Sequence, residues 1–397
     1  LTTLHYRAQS SHLTMRSHVT LLVALTTICT QFRVENGSAQ TFEPGFAQST
    51  VAGGTFTQPV GVTWDANGRQ YVWEKGGKVW IISNGVRLAQ PLIDISEEIG
   101  NWRDHGYLGF ALDPNFLTNG RIYMMYTVDR HYLMNYGTGS YSATTNEYYA
   151  ATIMRITRYT AIGPNFNTVD YGSRFVLLGE TRQTGVPLLY ESHSTGSLVF
   201  GSDGTLMATV GDGASYNGYD TGNAPDTYDG VALSNGMMRP AEDVGAMRSQ
   251  LLNCHNGKLL RIDPNTGDGV PSNPYYDPAA PRSPKSRVWA LGLRNPYRMT
   301  RKPGEGSSDP AAGNPGVFYI GDVGMGTWEE SNVCYEAGMN FGWPLFEGLE
   351  ANTTYFNTIV ANQDVPNPFY DGITCTQQFL TFQDLLKQDT RQLLNTH

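Results

Sequence analysis

The chain has 397 residues, 40% of them hydrophobic and only 16% charged, with 44 glycines and 23 tyrosines. That is enough apolar material for one or two substantial cores, but too few charged residues for long amphipathic helices, so strands and turns are expected. The net charge of −9 argues against nucleic acid and anionic membranes as partners, since both demand a basic surface.

Met15, Arg16, Ser17 and His18 followed by the apolar run 19–28 have the order of a secretory signal, and that run is too short to span a bilayer. Gly37, Ser38 and Ala39 supply small residues for cleavage, so residues 1–39 are expected to be leader plus signal peptide on a secreted or periplasmic protein. A single theme then recurs. Run 60–64 leads through Asp65-Ala66-Asn67-Gly68 into 69–73, and a turn at Gly76-Gly77 leads into 78–82. Run 108–112 turns between Asp113 and Gly120 into 121–127, and 197–200 turns through Gly201-Ser202-Asp203-Gly204 into 205–210. A looser fourth copy joins 289–291 to 317–320 across Arg294-Asn295-Pro296.

Asp-Gly and Asn-Gly between apolar runs mark tight hairpins, because such turns need residues that tolerate positive φ. Strand, turn and strand repeated at wide intervals predict an all-β fold, a β-propeller of antiparallel four-stranded blades with about four visible. Segments 129–151 and 216–245 lack helical periodicity and are expected as long surface loops, with a short helix over 240–252. The propeller is predicted over 45–352, followed by an atypical tail over 353–397 with a weak helical pattern at 379–395. Cys29 falls in the signal; Cys254, Cys334 and Cys375 remain, an odd number at no zinc spacing, leaving open one disulfide with a free thiol or a partner cysteine beyond the C-terminus.

His193 stands just before the 197–210 hairpin and Asp212 just after it, between Gly211 and Gly213. A hairpin brings its ends together, so a base and a carboxylate meet at one sheet edge, as an oriented general base requires. The plainer reading is a turn histidine and a loop-capping carboxylate. Asp104-His105-Gly106, Arg294-Asn295-Pro296 and Gly321-Asp322-Val323-Gly324 sit at corresponding strand ends of other repeats.

The stretches GYLGFALDPNF, HSTGSLVFGSDGTLMATVGDG, GKLLRIDPNTG, VWALGLRNPYR and NFGWP, in order over 55–346, resemble the soluble quinoprotein glucose/sorbosone dehydrogenases. The resemblance implies a six-bladed propeller that oxidises a sugar with calcium and pyrroloquinoline quinone (PQQ), in the manner of the PQQ-dependent aldose sugar dehydrogenases. It implies that His193 is the base, Asp212 its orienting carboxylate, Arg294 a group near the quinone carbonyl and Asn295 a PQQ contact. It also implies that the main-chain oxygens of Gly324 and Met325 hold the calcium, with Met325 standing where the family has proline.

Asp104 and Asn217 replace two family glutamines near cofactor and substrate, and His105 has no assigned counterpart. The late-blade bases that clamp PQQ in the family have no equivalent, so the chain reads as lacking its last blades; Lys387 and Arg391 lie in the tail without a place at the site. Two rival readings are a non-catalytic propeller that binds glycan or protein, as in hedgehog-interacting-type relatives, and, third, a metal-dependent lactonase. The lactonase ranks last because its chemistry wants side-chain carboxylates on the metal.

Overall fold

In the computed structural model the described residues are 44–47 and 54–386. The expected signal peptide, Cys29, Lys387 and Arg391 therefore lie outside the described residues. Four antiparallel sheets follow one another from Pro59 to Cys334. The first runs β1 (Pro59–Trp64), β2 (Gln70–Glu74) and β3 (Lys78–Ser83), with β4 (Val86–Arg87) and β5 (Ile93–Asp94) sharing the outer edge of β3. The second runs β6 (Tyr107–Leu112), β7 (Arg121–Thr127) and β8 (Thr152–Ala161), the long β8 pairing in turn with β9 (Val169–Leu178) and β10 (Val186–Leu188). The third is β11 (Thr195–Phe200), β12 (Leu206–Val210), β13 (Lys258–Ile262) and β14 (Val288–Leu291); the fourth is β15 (Pro296–Arg301), β16 (Phe318–Asp322) and β17 (Glu330–Cys334).

The leading strands β1, β6, β11 and β15 together line a channel of about 360 Å³, which makes the sheets blades about an axis. Ser197 Oγ receives the Met299 amide at 3.1 Å, and the Arg298 guanidinium donates to Val60 O at 3.1 Å, so β15 is tied to the leading strands of the third and the first sheet. Neighbouring blades bury alternate residues of each strand, as the two-residue period of a strand requires. Leu206, Ala208 and Val210 pack toward Tyr123, Met125 and Ile156 of the second blade, while Met207 packs with Phe318 and Ile320 of the fourth. Tyr71, Val79 and Ile81 meet Phe110, Ile122 and Met124 between the first two blades.

The recurring turn aspartate does more than tolerate the turn. Asp65 receives the Asn67 amide at 2.9 Å and the Tyr71 hydroxyl at 2.9 Å. Asp113 receives the Asn115 amide at 2.9 Å and the Tyr123 hydroxyl at 3.0 Å. Asp203 receives the Thr205 amide at 3.0 Å and the fully buried Arg261 guanidinium at 2.6 Å. Each carboxylate thus closes its own turn and reaches a side chain on an interior strand, a charge-assisted bond stronger than a neutral one.

The fourth repeat differs from the expectation. The strand β14 closes the third blade against β13, and β16 is the second strand of the fourth, so the two do not form a hairpin. Gly292 to Asn295 is instead the crossing from one blade's outer edge to the next blade's leading strand, which starts at Pro296. Blades of five, five, four and three strands replace a uniform four. The expected helix over 240–252 is two 3₁₀ turns, Pro240–Glu242 and Gly245–Gln250. The second starts at Gly245, which has φ +56° and lies so close to Asp220 that a Cβ would fall 2.1 Å from its carbonyl oxygen. The two long loops carry one short helix each, Arg130–Asn135 and Asp229–Ser234. In the tail, helix Thr353–Asn357 is followed by β18 (Ala361–Pro366) paired with β19 (Phe379–Thr381) and by helix Phe382–Leu386. Cys254, Cys334 and Cys375 are all free thiols.

Candidate active site

The hairpin β11–β12 does bring its flanks together. His193 Nδ1 lies 2.9 Å from Asp212 Oδ1, with both side chains buried. His193 has φ +55°, a backbone conformation that non-glycine residues seldom adopt and that surrounding contacts must hold. Those contacts come from the two glycines. Gly211 N donates to Ser194 O at 2.9 Å and Gly213 N to His193 O at 3.0 Å. A Cβ at Gly211 would fall 2.4 Å from His193 O, and Gly213 itself has φ +67°. Glycines on either side of Asp212 are what allow the carboxylate to approach the histidine.

Asp212 is an acceptor on every side. Oδ1 also receives the Ala214 amide at 2.9 Å, and Oδ2 receives the Trp343 indole N–H at 2.7 Å. Burial pushes its carboxyl up, but adjacent His193, the bond to it, Arg294 and the Ala214 amide outweigh that and hold it below the usual carboxylate range. An ionised Asp212 requires the proton on Nδ1, which leaves Nε2 of neutral His193 as the acceptor. Among the described residues Nε2 has no hydrogen-bond partner, and His193 lines a cleft of about 620 Å³.

The cleft lies at the ends of the leading strands and is shared by all four blades: Val60, Asp104, His193 and Asn295 line it, one from each. Three residues expected at the site, His193, Asp104 and Asn295, therefore face one space. Asp212 stands directly behind His193. Arg294 is placed differently from the expectation. It is 6% exposed, does not line the cleft, and donates to Val323 O and Gly324 O at 2.9 Å each. Its guanidinium lies 5.3 Å from the Trp343 ring centroid, and its carbonyl receives the Asp212 amide at 2.8 Å. The buried Asp322 fixes this crossing by taking the amides of Arg294 at 2.9 Å and Asn295 at 2.6 Å; burial pushes its carboxyl up to about 7.

Asn217 belongs to a separate cleft of about 390 Å³, with its amide on the Tyr190 hydroxyl at 2.6 Å and Asp226 at 2.9 Å. Met325 lines another, of about 480 Å³, and its side chain packs against the cluster of Trp343, Leu345 and Tyr355. The loop after β16 turns its amides onto carboxylates: Gly324 N onto Glu329 at 3.2 Å, and those of Met325, Gly326, Thr327 and Trp328 onto Glu347 Oε1 at 2.6–3.4 Å. Because Gly324 O already receives Arg294, a calcium ion on that oxygen would sit against a guanidinium, and the pair Gly324 and Met325 does not fit the metal in this arrangement. No cluster of three or more His, Cys, Asp or Glu able to hold a metal occurs among the described residues.

Two groups at the site, Trp343 and Arg248, carry no signal of a role in the sequence, and a third, His105, is marked only by its place at a strand end. Trp343 was visible only as part of NFGWP. Arg248, fully buried in the 3₁₀ turn Gly245–Gln250, donates to Asp212 O and Gly213 O at 3.0 Å each. His105 is buried with Nε2 2.7 Å from Tyr190 O and Nδ1 2.9 Å from Ser194 Oγ. A carbonyl only accepts, so Nε2 carries the proton, and burial pushes the imidazole down to about 4. Together with Asp104, which takes the Ser192 hydroxyl at 2.5 Å, His105 clamps the segment that presents His193.

Fold and site define a β-propeller with a histidine–carboxylate pair opening onto a cleft shared by its blades. The chain belongs to the Glucose / Sorbosone dehydrogenase family, whose model matches residues 56–377. It is 25% identical over 326 residues to the HIPL2 protein of Arabidopsis thaliana, covering 72% of this chain and 40% of that protein. It is 27% identical over 264 residues to the human Hedgehog-interacting protein, covering 63% and 31%. The chain thus spans less than half the length of these curated relatives. Among solved structures it is similar to the PQQ-bound aldose sugar dehydrogenase of Streptomyces coelicolor, with TM-score 0.51 and 20% identity over 76% of this chain and 66% of the other. That likeness is one of fold.

Proposed function

We propose that the protein is an oxidoreductase that oxidises an aldose or a related sugar or polyol with PQQ. The observation that carries this reading is the His193–Asp212 pair, with Nε2 free at a cleft large enough for a cofactor-sized ligand. His193 takes the proton of the sugar hydroxyl at Nε2. Asp212 keeps the imidazole in the required tautomer and stabilises the cation as it forms. Trp343 and the Ala214 amide hold Asp212 in place, and Arg294 acts on it from behind the cleft. Asn295, with the bases of the cleft, would hold PQQ, which when bound supplies the acceptor for the hydride leaving the sugar carbon. No step uses calcium. The family membership supports the activity, and the pattern of residues 15–28 supports export to the periplasm or the cell exterior.

The test is reconstitution of the full chain with PQQ and a panel of aldoses, following dye reduction. Activity should fall roughly a hundredfold to ten-thousandfold in His193→Gln while PQQ affinity is unchanged. A protein that binds PQQ and oxidises no sugar would overturn the reading. A second reading, a propeller that binds a glycan or a protein without redox chemistry, is favoured by the similarity to the Hedgehog-interacting protein and would then take its place.

A further inference from the structure

The cleft that His193 faces is rich in positive charge. Its lining holds three cations, Lys75, Arg103 and Arg298, against one carboxylate, Asp104. They come from separate places in the chain: Lys75 from the turn after β2, Arg103 from the segment before β6, Arg298 from within β15. The three differ in how their charge is met. Arg103 is paired with Glu191 at 3.2 Å and is well exposed. Lys75 and Arg298 form no ion pair among the described residues, and their hydrogen bonds go only to main-chain carbonyls. Lys75 Nζ donates to Arg103 O; Arg298 donates to Tyr297 O at 2.8 Å and Val60 O at 3.1 Å.

Both side chains are held in place rather than trailing in solvent. A Cβ at Gly106 would fall 2.6 Å from Lys75 Cγ, so the lysine stem lies against a position that only glycine leaves open. Its backbone is bonded on both sides, receiving Tyr107 N at 2.8 Å and donating to Gln58 O at 2.9 Å. The Arg298 guanidinium lies over the Tyr297 ring at 4.0 Å, a stacked arrangement that fixes its plane. A guanidinium has five N–H donors and an ammonium three, so each retains donors beyond its carbonyl partners. Asp104 acts on the Lys75 charge without forming an ion pair with it, and two positioned cations in a cleft attract anions and favour charge-assisted bonds to carboxylates.

We infer that Lys75 and Arg298 form a carboxylate-binding wall in the His193 cleft, and that the ligand of this cleft is a small organic polycarboxylate. This rests on the reading above in that PQQ, a tricarboxylate, is the occupant it names. Asp104 sets the limit of the wall, since it excludes a carboxylate from its own edge and directs the anionic groups toward Lys75 and Arg298.

The experiment is equilibrium titration of the full chain with PQQ, followed by quenching of tryptophan fluorescence at low and moderate salt. The proteins are the parent, Lys75→Gln, Arg298→Gln and the double variant. A lost charge-assisted contact should weaken binding about tenfold or more in each single variant, and the salt dependence should shrink with each. The trimethyl ester of PQQ should bind parent and variants alike. Arg298→Lys should recover part of the affinity, and Lys75→Gln, at a partly exposed site, carries the test if Arg298→Gln does not fold. If the parent binds PQQ and the double variant binds it equally, the wall is wrong while the oxidoreductase reading stands. If the parent binds benzene-1,2,4-tricarboxylate in a manner lost in the double variant, but not PQQ, the wall stands and the quinone reading falls. If it binds neither, both fall.

Discussion

The third and fourth blades carry neighbouring parts of the site and are built differently. In the third blade β12, β13 and β14 are buried at every position, because a sheet presses on each face. In the fourth, β16 alternates: Phe318 and Ile320 are fully buried while Tyr319 is 40% exposed, and on β17 Val333 is 37% exposed. Alternation of this kind belongs to a sheet with one covered face. His193 and Asp212 thus stand on a scaffold packed from both sides. Arg294 and Asn295 stand on a crossing held by the buried carboxylate Asp322 and by main-chain bonds to Asp212 and Val323, beside a blade with one open face. The proton-accepting pair is the rigid half of the site and the Arg294 crossing the more weakly supported half.

Matched truncations break or sharpen that contrast. Leu260→Ala in the third blade should cost about 2–5 kcal/mol in urea unfolding, because both its faces are covered and a cavity remains. Val333→Ala on the exposed face of the fourth should cost below about 1 kcal/mol. Equal losses would show that the two blades are supported alike. Gly211→Ala comes next, at roughly 1–3 kcal/mol, since the new methyl must displace the His193 backbone. It should lower sugar oxidation as well; full activity would mean that His193 tolerates a shift.

A smaller effect is set by pH. His105 is neutral in the folded protein down to about 4, whereas an unfolded histidine takes up its proton near 6.5. Its contribution is therefore fully present above pH 6.5 and is lost as pH falls from 6.5 toward 4. Between pH 7 and pH 5 this amounts to about 2 kcal/mol. Urea unfolding of His105→Asn should be flatter than the parent over that interval, and an unchanged slope would remove His105 from the clamp. Buried His255 acts in the same sense in both proteins and cancels from the comparison. The smallest effect is expected from chelation: with Gly324 O committed to Arg294, EDTA should leave the melting temperature and PQQ affinity where they were. Loss of either would mean that calcium displaces the guanidinium.

What could be read from the sequence follows from which contacts are local. The inner hairpins of the first three blades are marked by Asp65, Asp113 and Asp203, each bonded within its own turn. The meeting of His193 with Asp212 follows from one such hairpin. The strand β13 pairs with β12 across the whole second long loop, with no turn signal between them, and Arg294-Asn295-Pro296 resembles a turn in the sequence but is a crossing, so β14 pairs with β13 and not with β16. Trp343 reaches Asp212 from 131 positions away, a contact that no spacing announces. The direction of the Arg294 side chain depends on two carbonyls of the loop after β16, and the basic wall on residues from two blades far apart in the chain. Such convergence exists only once the blades are assembled.

The central claim is that Asp212 holds His193 with Nε2 ready to accept a proton. Asp212→Asn keeps the size of the buried group while removing its charge and its demand for the proton on Nδ1. Stopped-flow bleaching of bound oxidised PQQ by a sugar that the parent oxidises should be slowed by roughly a hundredfold or more in Asp212→Asn, with PQQ affinity unchanged. Equal rates in parent and variant would contradict the account.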